Sequence, residues 1–283
     1  MAKDKLQASR FELKYIIPEE TALQIRDYVR SYLELDENGV GKPNYSYPVH
    51  SLYLDSDDLK LYWSTINGDK NRFKLRVRFY NNNPETPVFF EVKRRMNNCI
   101  MKKRGGVRRE YVERLLAGHM PEPAHLVSKE PKHLFAVQDF CRHMQDIVAK
   151  PKVHIGYSRE AYVPHDDNSA RLTMDREVRS EPELTPRLNT KMIRPILVWG
   201  KDIVLELKFT NRFPDWFRDL VRVFGLRQCG AAKYVDGVAL QGEYKLRPSA
   251  ALAYAYDGAT PHAQNGDRGY GQRESALTTH IES

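Results

Sequence analysis

Three short stretches of this chain place a carboxylate two residues before a lysine: Glu12 and Lys14, Glu91 and Lys93, Glu206 and Lys208. In a strand, residues two apart share a face, so each stretch would set an acid beside a base. Phe73 to Phe79 puts Lys74, Arg76 and Arg78 on one face, with Phe73, Leu75, Val77 and Phe79 on the other. Arg95 extends the Glu91 and Lys93 row, and Arg171, Thr173 and Asp175 make a further polar row. Arginine offers a planar fork for two phosphate oxygens and lysine a compact charge. A surface lined by both suits a chain of phosphates, gripped without reference to base or sugar. Carboxylates on such a surface repel phosphate unless a cation stands between. Glu206, Glu91, Glu12 and Asp175 offer the hard oxygen ligands that Mg²⁺ or Mn²⁺ prefers.

One wet face is ordinary for an antiparallel strand, so no single row decides anything. The set does, because of the elements that must carry it. Strand patterns run over Phe11 to Ile17, Val49 to Leu54, Phe73 to Tyr80, Val88 to Arg95, Val153 to Val163, Ala170 to Val178 and Ile203 to Thr210. Helical spacing covers Pro18 to Leu33, Pro131 to Ala149 and Pro214 to Leu226, each opening on proline, a favoured first helical residue. Helices with apolar stripes must cover the apolar strand faces. The expected architecture is therefore α+β: a closed antiparallel β-barrel with helices packed outside and the charged faces turned inward. Buried cations are costly unless matched by anions, so water or a polyanion should fill that lumen.

The chain has 283 residues, with 45 Lys and Arg against 37 Asp and Glu, a formal charge of +8 that favours an anionic partner. Residues 249–283 hold few large aliphatics and more acids than bases, and read as a disordered tail, so the positive charge belongs to a single domain over residues 1–248. Cys99, Cys141 and Cys229 are too scattered for a disulfide framework or a zinc site. The opening residues have no signal-peptide core, and no apolar run nears the ~20 residues that span a bilayer. A cytoplasmic location is expected. Three prolines, Pro182, Pro186 and Pro195, make residues 180–199 an irregular excursion.

In their order along the chain, Arg10-Phe-Glu-Leu-Lys14-Tyr, Ser51-Leu-Tyr-Leu-Asp55, Leu75-Arg76-Val-Arg78-Phe-Tyr80, Phe90-Glu91-Val-Lys93, Tyr157-Ser-Arg159-Glu-Ala-Tyr162, Arg171-Leu-Thr173-Met-Asp175, Leu205-Glu206-Leu-Lys208 and Ala232-Lys233-Tyr234 resemble the VTC domain, the polyphosphate polymerase module among the CYTH-like triphosphate tunnel metalloenzymes. The resemblance implies an ATP-dependent transferase that adds phosphate to polyphosphate with Mn²⁺ or Mg²⁺ as cofactor. It implies phosphate binding by Lys14, Lys74, Arg76, Arg78, Lys93, Arg95, Arg159, Arg171 and Lys208. Arg76, Arg78 and Lys233 would act at the transfer centre, and Glu206 would hold the metal, with Glu12, Glu91 and Asp175 as further candidates. The family's Ser-Lys-Tyr stands here as Ala232-Lys233-Tyr234, without the serine.

With water as acceptor, the same site would be a tripolyphosphatase or nucleoside triphosphatase. A non-catalytic polyanion-binding module is the other alternative, with residues 102–109 as a flexible basic loop. No specific nucleic acid is expected, because the aromatics are expected to alternate onto the faces opposite the basic rows, leaving no stacking platform. Asp55-Ser-Asp-Asp58 reads as a helix cap before Leu59 and not as a calcium loop, Arg218 and Arg222 as a solvated helix face, and His133 and His143 as surface groups.

Overall fold

A computed structural model describes residues 10–247 apart from 98, 166–168 and 211; the tail expected at 249–283 lies outside the described residues. The strands are β1 (Arg10–Ile17), β2 (Glu34–Leu35), β3 (Ser46–Asp55), β4 (Asn71–Phe79), β5 (Val88–Met96), β6 (Cys99–Val107), β7 (Lys150–Val163), β8 (Ala170–Pro182), β9 (Ile196–Leu197) and β10 (Ile203–Thr210). Between them lie helices α1 (Glu19–Val29), α2 (Lys60–Ile66), α3 (Val112–Leu116), α4 (Pro131–Asp146), α5 (Asp215–Val223) and α6 (Lys233–Gln241).

Among the described residues the strands form one antiparallel sheet in the order β2-β7-β3-β4-β5-β6-β1-β10-β8-β9, and β7 pairs with β8 as well as with β3. The β6–β1 contact is slight, a single pair between Arg10 and Ile100. The architecture is α+β, a large antiparallel sheet with helices against it. Strand register carries the charged rows across the sheet. Arg76 lies opposite Glu91 and Glu91 opposite Arg104, while Glu206 pairs with Lys14 on one side and Thr173 on the other.

Apolar strand faces are covered as the alternation demands. Val137, Phe140, Cys141 and Met144 of α4 pack on Leu75, Val77, Phe90 and Val92. Ala22, Ile25 and Val29 of α1, with Phe217 and Leu220 of α5, cover Leu172, Met174, Leu205 and Leu207. Burying such side chains is worth roughly 1.5–3 kcal/mol each. His143 is buried in the α4 layer and edge-on to Phe73, not at the surface as expected.

Two elements escape the alternation rule. The stretch expected as a flexible basic loop is strand β6, whose Lys102 and Arg104 stand opposite Lys93 and Glu91. Its Gly105 meets α4 so closely that a Cβ there would lie 2.4 Å from Val137 Cγ2 and 2.6 Å from the His133 carbonyl oxygen, the usual reason for glycine inside a strand. Helix α6 packs Tyr234, Val235 and Val238 in one cluster with Val153, Ile155 and Val204. Val204 shares its face with Glu206 and Lys208, so α6 lies on the charged side of the sheet instead of outside it. The 180–199 excursion is tied down by Glu181, whose carboxylate accepts the backbone N–H groups of Ile193 and Arg194, and by the short β8–β9 pairing.

Candidate functional site

Two cavities, about 760 and 580 Å³, lie along the charged face and share Glu12, Arg76, Arg78, Lys93, Arg159 and Lys208 as walls. Lys14, Lys74, Arg95, Glu206 and Lys233 line the larger cavity, and Arg171 lines the smaller. Glu91 and Asp175 reach neither wall; both are fully buried behind the arginines. Six strands and the first residue of α6 thus bring all the named side chains to one region.

Its anions and cations are paired in two groups. Glu91 receives Arg76 Nη2 at 2.6 Å and Arg76 Nε at 2.7 Å, with Arg104 Nε 3.5 Å away. Arg78 reaches Ser51 Oγ and the Tyr157 hydroxyl. In the second group Asp175 accepts both Nε and Nη2 of Arg159, at 2.7 and 2.8 Å. Lys233 Nζ bridges Asp175 at 2.7 Å and Glu206 at 2.9 Å. Glu206 also meets Lys208 at 2.5 Å and Lys14 at 3.8 Å, and Glu12 meets Lys93 at 2.8 Å. Arg171 is held by Asp36 at 2.6 Å, whereas Arg95 is exposed and donates to the Asn97 carbonyl.

Burial opposes the charge on Glu206, Glu91, Glu12, Lys233, Lys208 and Lys74, and the neighbours decide the outcome. Burial alone would raise Glu206, but Lys208, Lys233, Lys14 and Arg159 hold it well below the usual carboxylate range. Glu91 is lowered likewise against burial by Arg76 and Arg78, and Glu12 by Lys93. Lys233 loses to burial but gains more from Asp175 and Glu206, so its ammonium is raised above the ordinary lysine value. Lys208 goes the other way: burial brings it down to about 8 despite Glu206 and Glu12. Lys74 falls to about 7, through burial and then the repulsion of Lys14, Lys93 and Arg72.

A divalent cation in this region would need hard oxygen ligands within reach of the cavity. Among the described residues no three His, Cys, Asp or Glu side chains gather as a metal cage. Asp175 accepts Arg159 and Lys233 on its two oxygens, and Glu91, although its Oε1 also lacks a hydrogen-bond partner, is enclosed by arginines; neither reaches a cavity wall. Glu12 and Glu206 do line the cavity, although Lys208 and Lys233 already lie within 2.9 Å of Glu206. They flank the cavity on paired strands, and Glu12 Oε1 is buried without a hydrogen-bond partner. Two carboxylates with one orphan oxygen match an ion that completes its shell with water and phosphate.

Several lining residues were not singled out by the alternation argument. Tyr53 and Tyr157 hydrogen-bond Arg76 and Arg78, and the Lys233 ammonium lies 5.2 Å from the Tyr157 ring centroid. Tyr47, Tyr80 and Phe89 line the smaller cavity with Lys102 and Arg104. The expectation that aromatics avoid the charged face is therefore corrected. Tyr80 and Phe89 lie two residues from Arg78 and Glu91, and counting one step beyond each charged row would have placed them there.

The VTC domain family model matches residues 9–241. The chain belongs to the VTC domain family. Every site residue above lies within this VTC domain. A search of curated proteins finds no match. Among solved structures the VTC domain is similar to a Bacillus halodurans protein provisionally named an adenylate cyclase, with 15% identity over 79% of this chain and 93% of that one, TM-score 0.44. A Vibrio parahaemolyticus protein of the same provisional name aligns at 11% identity over 82% and 98%, TM-score 0.40. The Mimivirus capping enzyme triphosphatase aligns at 11% identity over 77% and 89%, TM-score 0.34. Among the described residues no helix is long and apolar enough to cross a membrane.

Proposed function

We propose that this VTC domain is a polyphosphate polymerase that transfers the γ-phosphoryl group of ATP to the end of a polyphosphate chain. The observation that carries the reading is the bridge made by Lys233 between Glu206 and Asp175, at the edge of a cavity walled by Lys14, Arg76, Arg78, Lys93 and Arg159. A terminal oxygen of the chain attacks the γ-phosphorus, one P–O–P link forms, and the β–γ bridge breaks to release ADP. Such a transfer depends on positioning and charge neutralisation more than on covalent work. Arg76, Arg78 and Arg159 are placed to bind non-bridging oxygens, and Lys233 to stabilise charge on the oxygen that departs. Glu206 and Glu12 would hold Mg²⁺ or Mn²⁺, which neutralises phosphate charge when bound.

The reading takes the sheet as wrapped around these cavities. Pairing of β7 with both β3 and β8 supports that, as does the coverage of the apolar faces by α1, α4 and α5. It takes residues 1–248 as the working unit. The experiment is to incubate the purified protein with ATP and Mn²⁺ or Mg²⁺, with and without a short polyphosphate primer, and to resolve products by chain length. A metal-dependent ladder is expected. Orthophosphate without a ladder would make the protein a triphosphatase, and polyphosphate binding without turnover would make it a binding module.

A further inference from the structure

The two ends of the charged face differ in chemistry. Where β4 begins and β5 ends, the larger cavity is rimmed by Arg72, Lys74, Arg94 and Arg95, with Phe73 the aromatic residue of that stretch; its tyrosines, Tyr53, Tyr157 and Tyr234, come from other elements. Its nearby acid, Asp236, is raised by burial, and its carboxylate accepts the backbone N–H of Ala232. Where β4 ends and β5 begins, the smaller cavity presents Tyr47, Tyr80 and Phe89 beside the Asp36 to Asn38 turn. Arg104 lies over Phe89, its guanidinium carbon 3.5 Å from the ring centroid, and Tyr80 meets Phe89 edge to face.

A phosphate chain gains nothing from aromatic rings, and although Lys102, Arg104 and Arg171 also line this end, Arg171 is taken up by Asp36 and Glu37 adds a negative charge. A nucleoside needs both kinds of group. Its base stacks on aromatic faces and arginine planes, and its ribose hydroxyls donate to carboxylate and amide oxygens. Asp36 is fixed for that purpose by Arg171 on one oxygen and by the backbone and side chain of Asn38 on the other. We propose that the mouth formed by Tyr47, Tyr80, Phe89, Arg104 and the Asp36–Asn38 turn holds the nucleoside of a nucleoside triphosphate, leaving the opposite, cation-rimmed mouth to the phosphate chain. The triphosphate then lies across the wall residues common to both cavities. This polarity rests on the phosphoryl-transfer reading and adds a direction to it.

Titration calorimetry of the full chain with ATP and with tripolyphosphate tests it, since the second ligand has the phosphates without the nucleoside. Tyr80→Ala and Phe89→Ala should each weaken ATP about tenfold, the loss of one stacking contact, while changing tripolyphosphate less than about twofold. Tyr80→Phe, which keeps the ring, should restore ATP affinity. Arg94→Ala combined with Arg95→Ala should weaken long-chain polyphosphate more than tripolyphosphate. Equal losses for ATP and tripolyphosphate in the aromatic variants, or no loss for either, would overturn the assignment while leaving the phosphate site intact. Binding of tripolyphosphate but not ATP would overturn it too, and a wild-type protein that binds neither ligand would remove the functional reading as well.

Discussion

The Lys233 ammonium sits 2.9 Å from the Glu206 carboxylate and is shared with Asp175, although the three residues come from α6, β10 and β8. The contact joins α6, on the charged side of the sheet, to the two strands beneath it, so site and fold are coupled there. Glu206→Gln removes a charge on which four cations converge, and turnover of ATP should fall by on the order of a hundredfold or more. Lys233→Ala should cost as much activity, and about 3–5 kcal/mol of stability besides, because it strips the shared partner from two buried carboxylates. Product analysis and denaturant melts on both variants check this. A Glu206→Gln protein with full activity would place the chemistry elsewhere.

Lys74 makes the pH dependence specific. Its ammonium has no hydrogen-bond or ion-pair partner among the described residues and loses its proton near pH 7, with Lys208 following near 8. Both values are depressed relative to the unfolded chain, which binds more protons than the folded one from about pH 7 to 10. The free protein should therefore gain stability as pH rises through that window. Phosphate binding should respond in the opposite sense, since it needs the charged form. Tripolyphosphate affinity should fall between pH 6.5 and 9, and binding at pH 8 should take up protons, read as a dependence of the calorimetric heat on buffer ionisation enthalpy. Lys74→Arg should flatten the lower part of the profile.

Asp55 holds α2 and α6 together. Its two oxygens accept the backbone N–H groups of Ser56, Leu61 and Tyr62 and the Tyr234 hydroxyl, at 2.7–2.9 Å. Tyr234 follows Lys233 and stacks on Tyr53, which accepts from Arg76. Asp55→Ala leaves several buried donors unsatisfied and should cost about 3 kcal/mol or more. Tyr234→Phe removes a single bond from the same carboxylate and should cost about 1–2 kcal/mol. Thermal melts give both numbers, and a smaller loss for Asp55→Ala than for Tyr234→Phe would contradict this bonding scheme.

Alternation made Lys74, Arg76 and Arg78 legible, because a period of two on a strand needs only the residues themselves. It placed the cations correctly with respect to the sheet and still missed the tyrosines between them. Tyr53 and Tyr157 are amphipathic, and a phenol reads equally well as core or as a ligand to arginine until the partner strand is known. Strand β6 was hidden for a different reason. Lys102, Lys103, Arg104 and two glycines carry no β propensity, and its place is set by pairing with β5 and by the approach of α4. Helix α6 was masked by Gly237, whose added Cβ would lie 2.6 Å from Ser180 Oγ, a contact visible only once β8 is in place. The distinction among Glu12, Glu91, Glu206 and Asp175 likewise required the arginines to be seen in space.

Gly105 offers a test of how α4 is seated. A methyl group there would fall 2.4 Å from Val137 Cγ2 and 2.6 Å from the His133 carbonyl oxygen. Valine could rotate away from it, but the carbonyl belongs to helix backbone, so the whole of α4 must shift on β5 and β6. Overpacking of this kind costs typically 1–3 kcal/mol, against the ~0.5–1 kcal/mol that alanine ordinarily gains over glycine inside a regular element. Gly105→Ala should therefore lower the stability of the protein by up to about 2.5 kcal/mol, and Val137→Ala in the same chain should not restore it, because the clash with the His133 carbonyl remains. Gly106→Ala is the internal control: its nearest neighbour would be the Phe89 ring at 3.4 Å, an ordinary contact, and its melting temperature should stay close to wild type. Equal destabilisation at both positions would mean that strand β6, and not the approach of α4, sets the demand for glycine.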